Sequence, residues 1–289
     1  MGKDTGYALL DCGDGRRLER FGALLTDRPA PAATGPRRDP GSCIGALAYR
    51  AGMGWRGADG LPSSDVTAPV DIAGVTMEVR PAASGNVGLF PEHAGNTGWL
   101  ARAVSSRLGP IDDPPEILNL FAYTGLATLT AARAGARIAH VDASRPSVAW
   151  ARRNAELSGL ADHPIRWLVD DALTFVRREV RRGRRYDGVI LDPPSYGHGA
   201  GGPAGADRWR FDERIGELLD ACAGITSSVA FWLLTTHTPG WDAERTADVL
   251  RRATDAPRSE VEGVELRLIA ESGAALRLGA AARFDPRAS

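Results

Sequence analysis

The chain has 289 residues, 43% of them hydrophobic, with 35 basic and 36 acidic side chains and a formal net charge of −1. That length accommodates one large or two modest domains with a real core. The near-neutral balance excludes a protein held on nucleic acid by bulk charge alone, though not one with a local basic patch.

Residues 1–95 are rich in glycine, proline and short apolar runs, and predict a small β-rich domain. Runs 7–10 and 18–21 flank Gly13-Asp14-Gly15, a hairpin turn by composition. Pro29, Pro31, Pro36 and Pro40 exclude a helix between them. Residues 75–79 alternate apolar and polar as a half-buried strand does. From Gly98 the texture changes to alternating strands and helices, giving a second domain over 96–289. Strands are predicted at 117–121, 137–141, 165–169, 188–191, 229–235, 265–269 and 276–283. Helices are predicted at 126–134, 147–158, 173–182, 214–223 and 242–253. Ser144-Arg145-Pro146 opens the second of these with a capping serine and an early proline. Such alternation gives a Rossmann-like α/β sheet with helices on both faces. The last two strands have no helix between them and can pair as a hairpin, so a seven-stranded sheet with an antiparallel end is expected.

The tips of the first four strands carry the candidate chemistry. Asn119 precedes the turn Phe121-Ala122-Tyr123-Thr124-Gly125, although strand parity does not fix where Asn119 points. This turn has one glycine and no GxGxxG fingerprint. Gly125 permits close backbone approach to a ligand, and the following helix offers its N-terminal amides. The bland alternative is an ordinary strand-to-helix connection. Asp142 ends the second strand, where a carboxylate can accept from both hydroxyls of a ribose, with Ala143 and Ser144 lining the same pocket. Asp142 could instead cap the next helix, but Ser144 is the better cap. Asp170-Asp171-Ala172 ends the third strand. Asp171 is assigned to an adenine amino group, Asp170 is the alternative, and one of the two caps the next helix.

Asp192-Pro193-Pro194-Ser195-Tyr196 follows the fourth strand. Its prolines remove two backbone donors and stiffen the turn. The Asp192 carboxylate and an exposed Pro193 carbonyl could then accept hydrogen bonds from a target amine, while Tyr196 stacks on a flat base. Structurally, the prolines could simply stop a strand and Tyr196 could be a packed aromatic. A glycine-rich stretch at 197–205 suits either a closing loop or a surface insertion. Beyond it, Arg208-Trp209-Arg210-Phe211 interleaves cations with aromatics. Arg208, Trp209 and Arg210 could therefore contact RNA, or Trp209 and Phe211 could anchor the loop. The basic run at 177–185 reads as a solvated helix face more than as a phosphate-binding patch.

Cys12, Cys43 and Cys222 show neither metal-ligand spacing nor a paired framework, so no metal site and a reducing compartment are expected. The first six residues hold no apolar signal core, and no apolar run is long enough to span a bilayer. A cytoplasmic protein without membrane contact is expected.

Four stretches together resemble S-adenosylmethionine-dependent class I methyltransferases related to the ribosomal RNA cytosine-C5 group. These are 119–125, Asp142, 150–160 and 191–196, and the resemblance covers about residues 85–284. It implies a seven-stranded methyltransferase sheet and S-adenosylmethionine as cofactor, held by the strand tips named above and Asp192. Gly88-Leu89-Phe90-Pro91-Glu92-His93 also looks like a segment of a bacterial branch that approaches the cofactor, which implies that Phe90 and Pro91 border its pocket. The group's RNA-binding PUA module is not evident. Cytosine-C5 methylation requires a cysteine nucleophile, which the family places on the strand after the Asp-Pro-Pro strand. Here that segment is Leu233-Leu234-Thr235-Thr236-His237-Thr238-Pro239, without cysteine. Cys222 falls on the apolar face of a predicted helix and reads as core. Asp-Pro-Pro-Ser-Tyr also resembles the tip of enzymes that methylate exocyclic amino groups, a chemistry without a covalent step. His237 could act as a base, although a lone histidine at a strand end is more often a surface or packed residue. The expected function is methylation of RNA, specifically ribosomal RNA, at nitrogen or oxygen without a cysteine nucleophile. The alternatives are a methyltransferase of a small aromatic or amine metabolite, and a non-catalytic cofactor-binding partner protein.

Overall fold

A computed structural model of the chain describes residues 6–63, 65–109, 113–197 and 209–287, without the side chains of Pro40 and Ser42. The chain divides into two compact units, Met1–Ala94 with Leu266–Leu278, and Gly95–Glu265 with Gly279–Ser289.

In the first unit, β1 (Tyr7–Gly13), β2 (Arg16–Phe21), β3 (Leu24–Pro29), β4 (Leu47–Arg50) and β5 (Gly54–Arg56) form a sheet in that order. All neighbours are antiparallel except β3 and β4. The β1–β2 turn falls on Asp14 and Gly15, both left-handed, as a two-residue hairpin demands. β6 (Ala68–Ile72) and β7 (Val75–Val79) form a separate hairpin. The core mixes apolar residues such as Leu9, Cys12 and Leu276 with a buried ion pair, Arg28 to Glu19 at 2.5 Å. Burial opposes charge on Glu19, but the guanidinium groups of Arg28 and Arg17 hold its carboxyl below the ordinary range.

The second unit opens with α1 (Ala94–Ser105), which the sequence did not disclose. Then follow β8 (Glu116–Leu120), α2 (Leu126–Arg133), β9 (Arg137–Asp142), α3 (Arg145–Leu157), β10 (Ile165–Val169), α4 (Ala172–Arg181) and β11 (Tyr186–Leu191). A short antiparallel pair, β12 (Tyr196–Gly197) and β13 (Trp209–Arg210), leads into α5 (Phe211–Ala223), β14 (Thr226–Thr236) and α6 (Ala243–Thr254). The hairpin β15 (Val261–Ile269) and β16 (Ala275–Phe284) ends the fold, and its tip belongs to the first unit. The main sheet runs β10-β9-β8-β11-β14-β16-β15, parallel from β10 to β14, with β16 antiparallel to β14 and the hairpin at its end. The α/β class and the seven-stranded sheet agree with the sequence reading. Leu118, Leu120, Val189, Leu191, Trp232 and Leu234 pack with Phe175, Val176, Leu218 and Leu219 of α4 and α5 in the main core. The strand order reverses between β8 and β11. The loops after β8, β9, β10 and β11 therefore gather at one edge, where open α/β sheets bind ligands.

No helix among the described residues is long and apolar enough to cross a membrane. In the basic run at 177–185, Arg177 pairs with Glu217, Arg178 with Asp170 and Arg182 with Glu179.

Candidate active site

The turn after β8 is unusual in its backbone. Phe121 and Tyr123 are both left-handed, at φ 55° and 48°, and Gly125 follows at 95°. Such conformations in non-glycine residues cost about 1–3 kcal/mol each and persist only where the surroundings over-determine them. Four bonds do so here. Ala122 N–H donates to the Val141 carbonyl at 3.1 Å and Gly125 N–H to the Ala122 carbonyl at 3.0 Å. Tyr123 N–H donates to Asp142 Oδ2 at 2.9 Å, and Asn154 Nδ2 donates to the Thr124 carbonyl at 2.9 Å. A Cβ on Gly125 would meet Ala151 Cβ at 3.2 Å, so both φ and the close approach of α3 call for glycine.

Asp142 closes this turn from the tip of β9. Its Oδ1 accepts from Ser144 N–H at 2.8 Å while Oδ2 holds Tyr123. Burial pushes its carboxyl above the ordinary value, the two backbone donors partly offset this, and the neighbouring charge of Asp192 adds to it. Each oxygen keeps a lone pair for a further donor. Ser144 caps α3, accepting from Ser147 N–H at 3.2 Å, so Asp142 is not the cap. Ala143 is exposed beside it.

The pair after β10 divides its work. Asp171 Oδ1 caps α4 by accepting from Thr174 N–H at 2.9 Å, and its Oδ2 has no partner among the described residues. Asp170 uses one oxygen on the Asp171 N–H and the other on Arg178. Ala172 is buried at the start of α4.

After β11, Asp192 lies partly buried, with Oδ1 accepting the Thr235 hydroxyl at 2.5 Å. Pro193 is buried and Pro194 is exposed. The Pro194 carbonyl is taken by the Trp209 indole N–H at 2.7 Å. Tyr196 is 74% exposed, with Arg210 over its ring at 6.0 Å.

Two further expectations are corrected. Asn119 faces inward, 2% exposed, and donates to Thr128 Oγ1 at 2.8 Å, so its amide is not presented at the edge. The Thr128 hydroxyl in turn meets His140 Nδ1 at 2.9 Å. Burial, with help from the charge of Arg152, pushes the His140 pKa down to about 3, so the ring is neutral. Trp209 is buried against Phe121 at 5.0 Å and cannot stack on an RNA base, while Phe211 beside it is fully buried. The anchoring reading of these two aromatics holds. Arg210 is exposed and paired with Glu213 at 3.1 Å. Arg208 and most of the glycine-rich stretch, 198–205, lie outside the described residues. Thr124 is buried. Phe90 and Pro91 belong to the first unit, at the start of a 3-10 turn, Pro91–His93. Cys222 is fully buried in the core and burial pushes its thiol pKa up, which leaves it no nucleophilic character. Thr235, Asn154, Thr128 and His140 were not foreseen. Only Asn154 and Thr235 fell inside stretches that the sequence had singled out.

A strained turn without space for a Cβ, and a carboxylate with spare lone pairs at the adjoining strand tip, fit the amino-acid and ribose ends of S-adenosylmethionine. No family model matches the chain. The S-adenosylmethionine-dependent methyltransferase of Agrobacterium tumefaciens superposes with a TM-score of 0.85 at 32% identity, over 99% of this chain and 91% of that one. The ribosomal RNA large subunit methyltransferase K/L of Allochromatium vinosum is 38% identical over 112 residues, 38% of this chain and 14% of that protein. The ribosomal RNA large subunit methyltransferase K of Neisseria meningitidis serogroup B is 33% identical over 112 residues, 29% of its length. The match thus spans less than a third of either ribosomal RNA enzyme.

Proposed function

This chain belongs to the S-adenosylmethionine-dependent methyltransferases, and we propose that it methylates RNA, specifically ribosomal RNA, at a nitrogen or oxygen atom without a covalent enzyme intermediate. The observation that carries this reading is the acceptor turn: an Asp192 carboxylate fixed by Thr235, near Asp142 and followed by an exposed Tyr196. The sulfonium of the bound cofactor supplies an electrophilic methyl group. The protein's part is alignment, which is sufficient for attack by an amine or hydroxyl lone pair.

In this reading Asp142 accepts the ribose hydroxyls, with Ala143 and Ser144 beside it. Asp171 Oδ2 accepts from the adenine amino group, and the Ala172 backbone lines the same wall. The backbone of Phe121, Tyr123, Thr124 and Gly125 cradles the amino-acid end. The Asp192 carboxylate accepts a hydrogen of the target group, and Tyr196 stacks on its plane. The absence of a cysteine from residues 233–239 and the burial of Cys222 support a direct transfer. The RNA class is supported by the 112-residue similarity to ribosomal RNA large subunit methyltransferases. A small aromatic or amine acceptor is the second reading, favoured by a net charge of −1 and by the pairing of exposed Arg210 and Arg245 with acids. Incubation with methyl-labelled S-adenosylmethionine, followed by counting of label in total RNA and in a metabolite extract, separates the two.

A further inference from the structure

We propose that Trp209 is a positioning residue that ties the acceptor turn, residues 192–196, to the cofactor loop, residues 121–125, so that filling the cofactor site tightens the acceptor turn. The proposal rests on the reading of residues 121–125 as the cofactor loop. Trp209 is 7% exposed, and its ring lies 5.0 Å from that of Phe121, one of the left-handed residues of that loop. Its indole N–H donates to the Pro194 carbonyl at 2.7 Å. One buried side chain thus touches both loops.

The acceptor turn needs such outside support. Pro193 and Pro194 have no backbone N–H, so the turn cannot brace itself through a local ladder. Its bracing comes from the Trp209 strand instead. Tyr196 pairs with Arg210 and Gly197 with Trp209, and Phe211 N–H donates to the Ser195 carbonyl at 3.1 Å. On the other side, a left-handed Phe121 can relax only by leaving its φ basin, which would withdraw its ring from the indole. A ligand that fixes residues 121–125 therefore fixes the face on which Trp209 rests, and through its N–H the Pro194 carbonyl.

Hydrogen exchange on the full chain, with and without S-adenosylhomocysteine, tests this. The Tyr123 amide, bonded to Asp142, reports the cofactor loop, and the Phe211 amide, bonded to Ser195, reports the acceptor turn. In the wild type, ligand is expected to slow exchange several-fold at both. Trp209→Phe keeps an aromatic ring against Phe121 but removes the indole N–H. In that variant the slowing at Tyr123 and the ligand affinity should persist, the slowing at Phe211 should disappear, and turnover should fall with little change in the cofactor KM. Equal slowing at Phe211 in wild type and Trp209→Phe overturns the proposal. Slowing at Tyr123 alone in the wild type also overturns it, leaves the cofactor loop standing, and requires no variant to fold. Slowing at neither amide, with ligand bound, removes the cofactor-loop reading itself and the proposal with it.

Discussion

Thr235 donates its hydroxyl to Asp192 at 2.5 Å, joining the tip of β14 to the tip of β11. A threonine hydroxyl has one hydrogen, and the Leu191 carbonyl at 3.2 Å is the poorer acceptor. Asp192 is thereby fixed from the tip of β14. Thr235→Val keeps the shape and removes the donor. It should slow methyl transfer by about 1–3 kcal/mol of barrier, while Thr235→Ser stays close to wild type. Single-turnover rates beside S-adenosylhomocysteine affinity check this, and the idea fails if Thr235→Val weakens the cofactor and leaves the rate alone.

Asp142 should govern cofactor affinity. Asp142→Ala removes the proposed ribose acceptor and frees Tyr123 N–H, weakening S-adenosylhomocysteine by about 1–3 kcal/mol in calorimetry. The pH dependence follows from burial, which raises this carboxyl above its ordinary 3.8. The ionised form is the one that accepts ribose hydroxyls. Affinity should therefore be full at neutral pH and fall on acidification, with a midpoint above that of an exposed aspartate. For the apo protein the sign is reversed. A raised folded-state pKa contributes stability that is present below the unfolded value and lost as pH rises through the folded one. Titrations from neutral to acidic pH that show an unchanged affinity would remove Asp142 from the site.

Seven strands were legible because a parallel sheet is buried on both faces and reads as continuous apolar runs such as 188–191. The same property hid the facing of Asn119, since a strand buried on both sides has no alternation to read. Helix α1 escaped notice because Gly95, Thr97 and Gly98 weaken helix propensity over its first turns, and burial of Leu100, Ala103 and Val104 compensates only in the fold. Residues 208–211 were compatible with either an RNA contact or an anchor. Composition could not decide between them, whereas for Trp209 and Phe211 burial does.

Arg107 should be a determinant of stability in the second unit. It is buried, bridges Asp285 at 2.6 Å, and donates to the carbonyls of Val229 at 2.5 Å and Ala103 at 2.8 Å. Arg107→Ala leaves Asp285 buried and unpaired, and should cost about 3–5 kcal/mol in denaturant unfolding. A loss below about 1 kcal/mol, the range of a surface pair, would show that the ion pair is solvated in solution.

Direct transfer requires no thiol. The combined variant Cys12→Ala, Cys43→Ala and Cys222→Ala should keep its methylation rate, with some loss of thermal stability from the trimmed cores around Cys12 and Cys222. Abolished transfer in a folded triple variant would restore a covalent mechanism.

The most direct test of the whole account is labelled methyl transfer to total ribosomal RNA by wild type, Asp192→Asn, Tyr196→Phe and Tyr196→Ala. Asp192→Asn turns one acceptor edge into a donor and should slow transfer far more than it weakens the cofactor. Tyr196→Ala loses a stacking platform worth roughly 1–3 kcal/mol, whereas Tyr196→Phe retains it. The account predicts label in RNA with wild type, nearly as much with Tyr196→Phe, little with Tyr196→Ala and least with Asp192→Asn. Label confined to small molecules, or a full rate with Asp192→Asn, would contradict it.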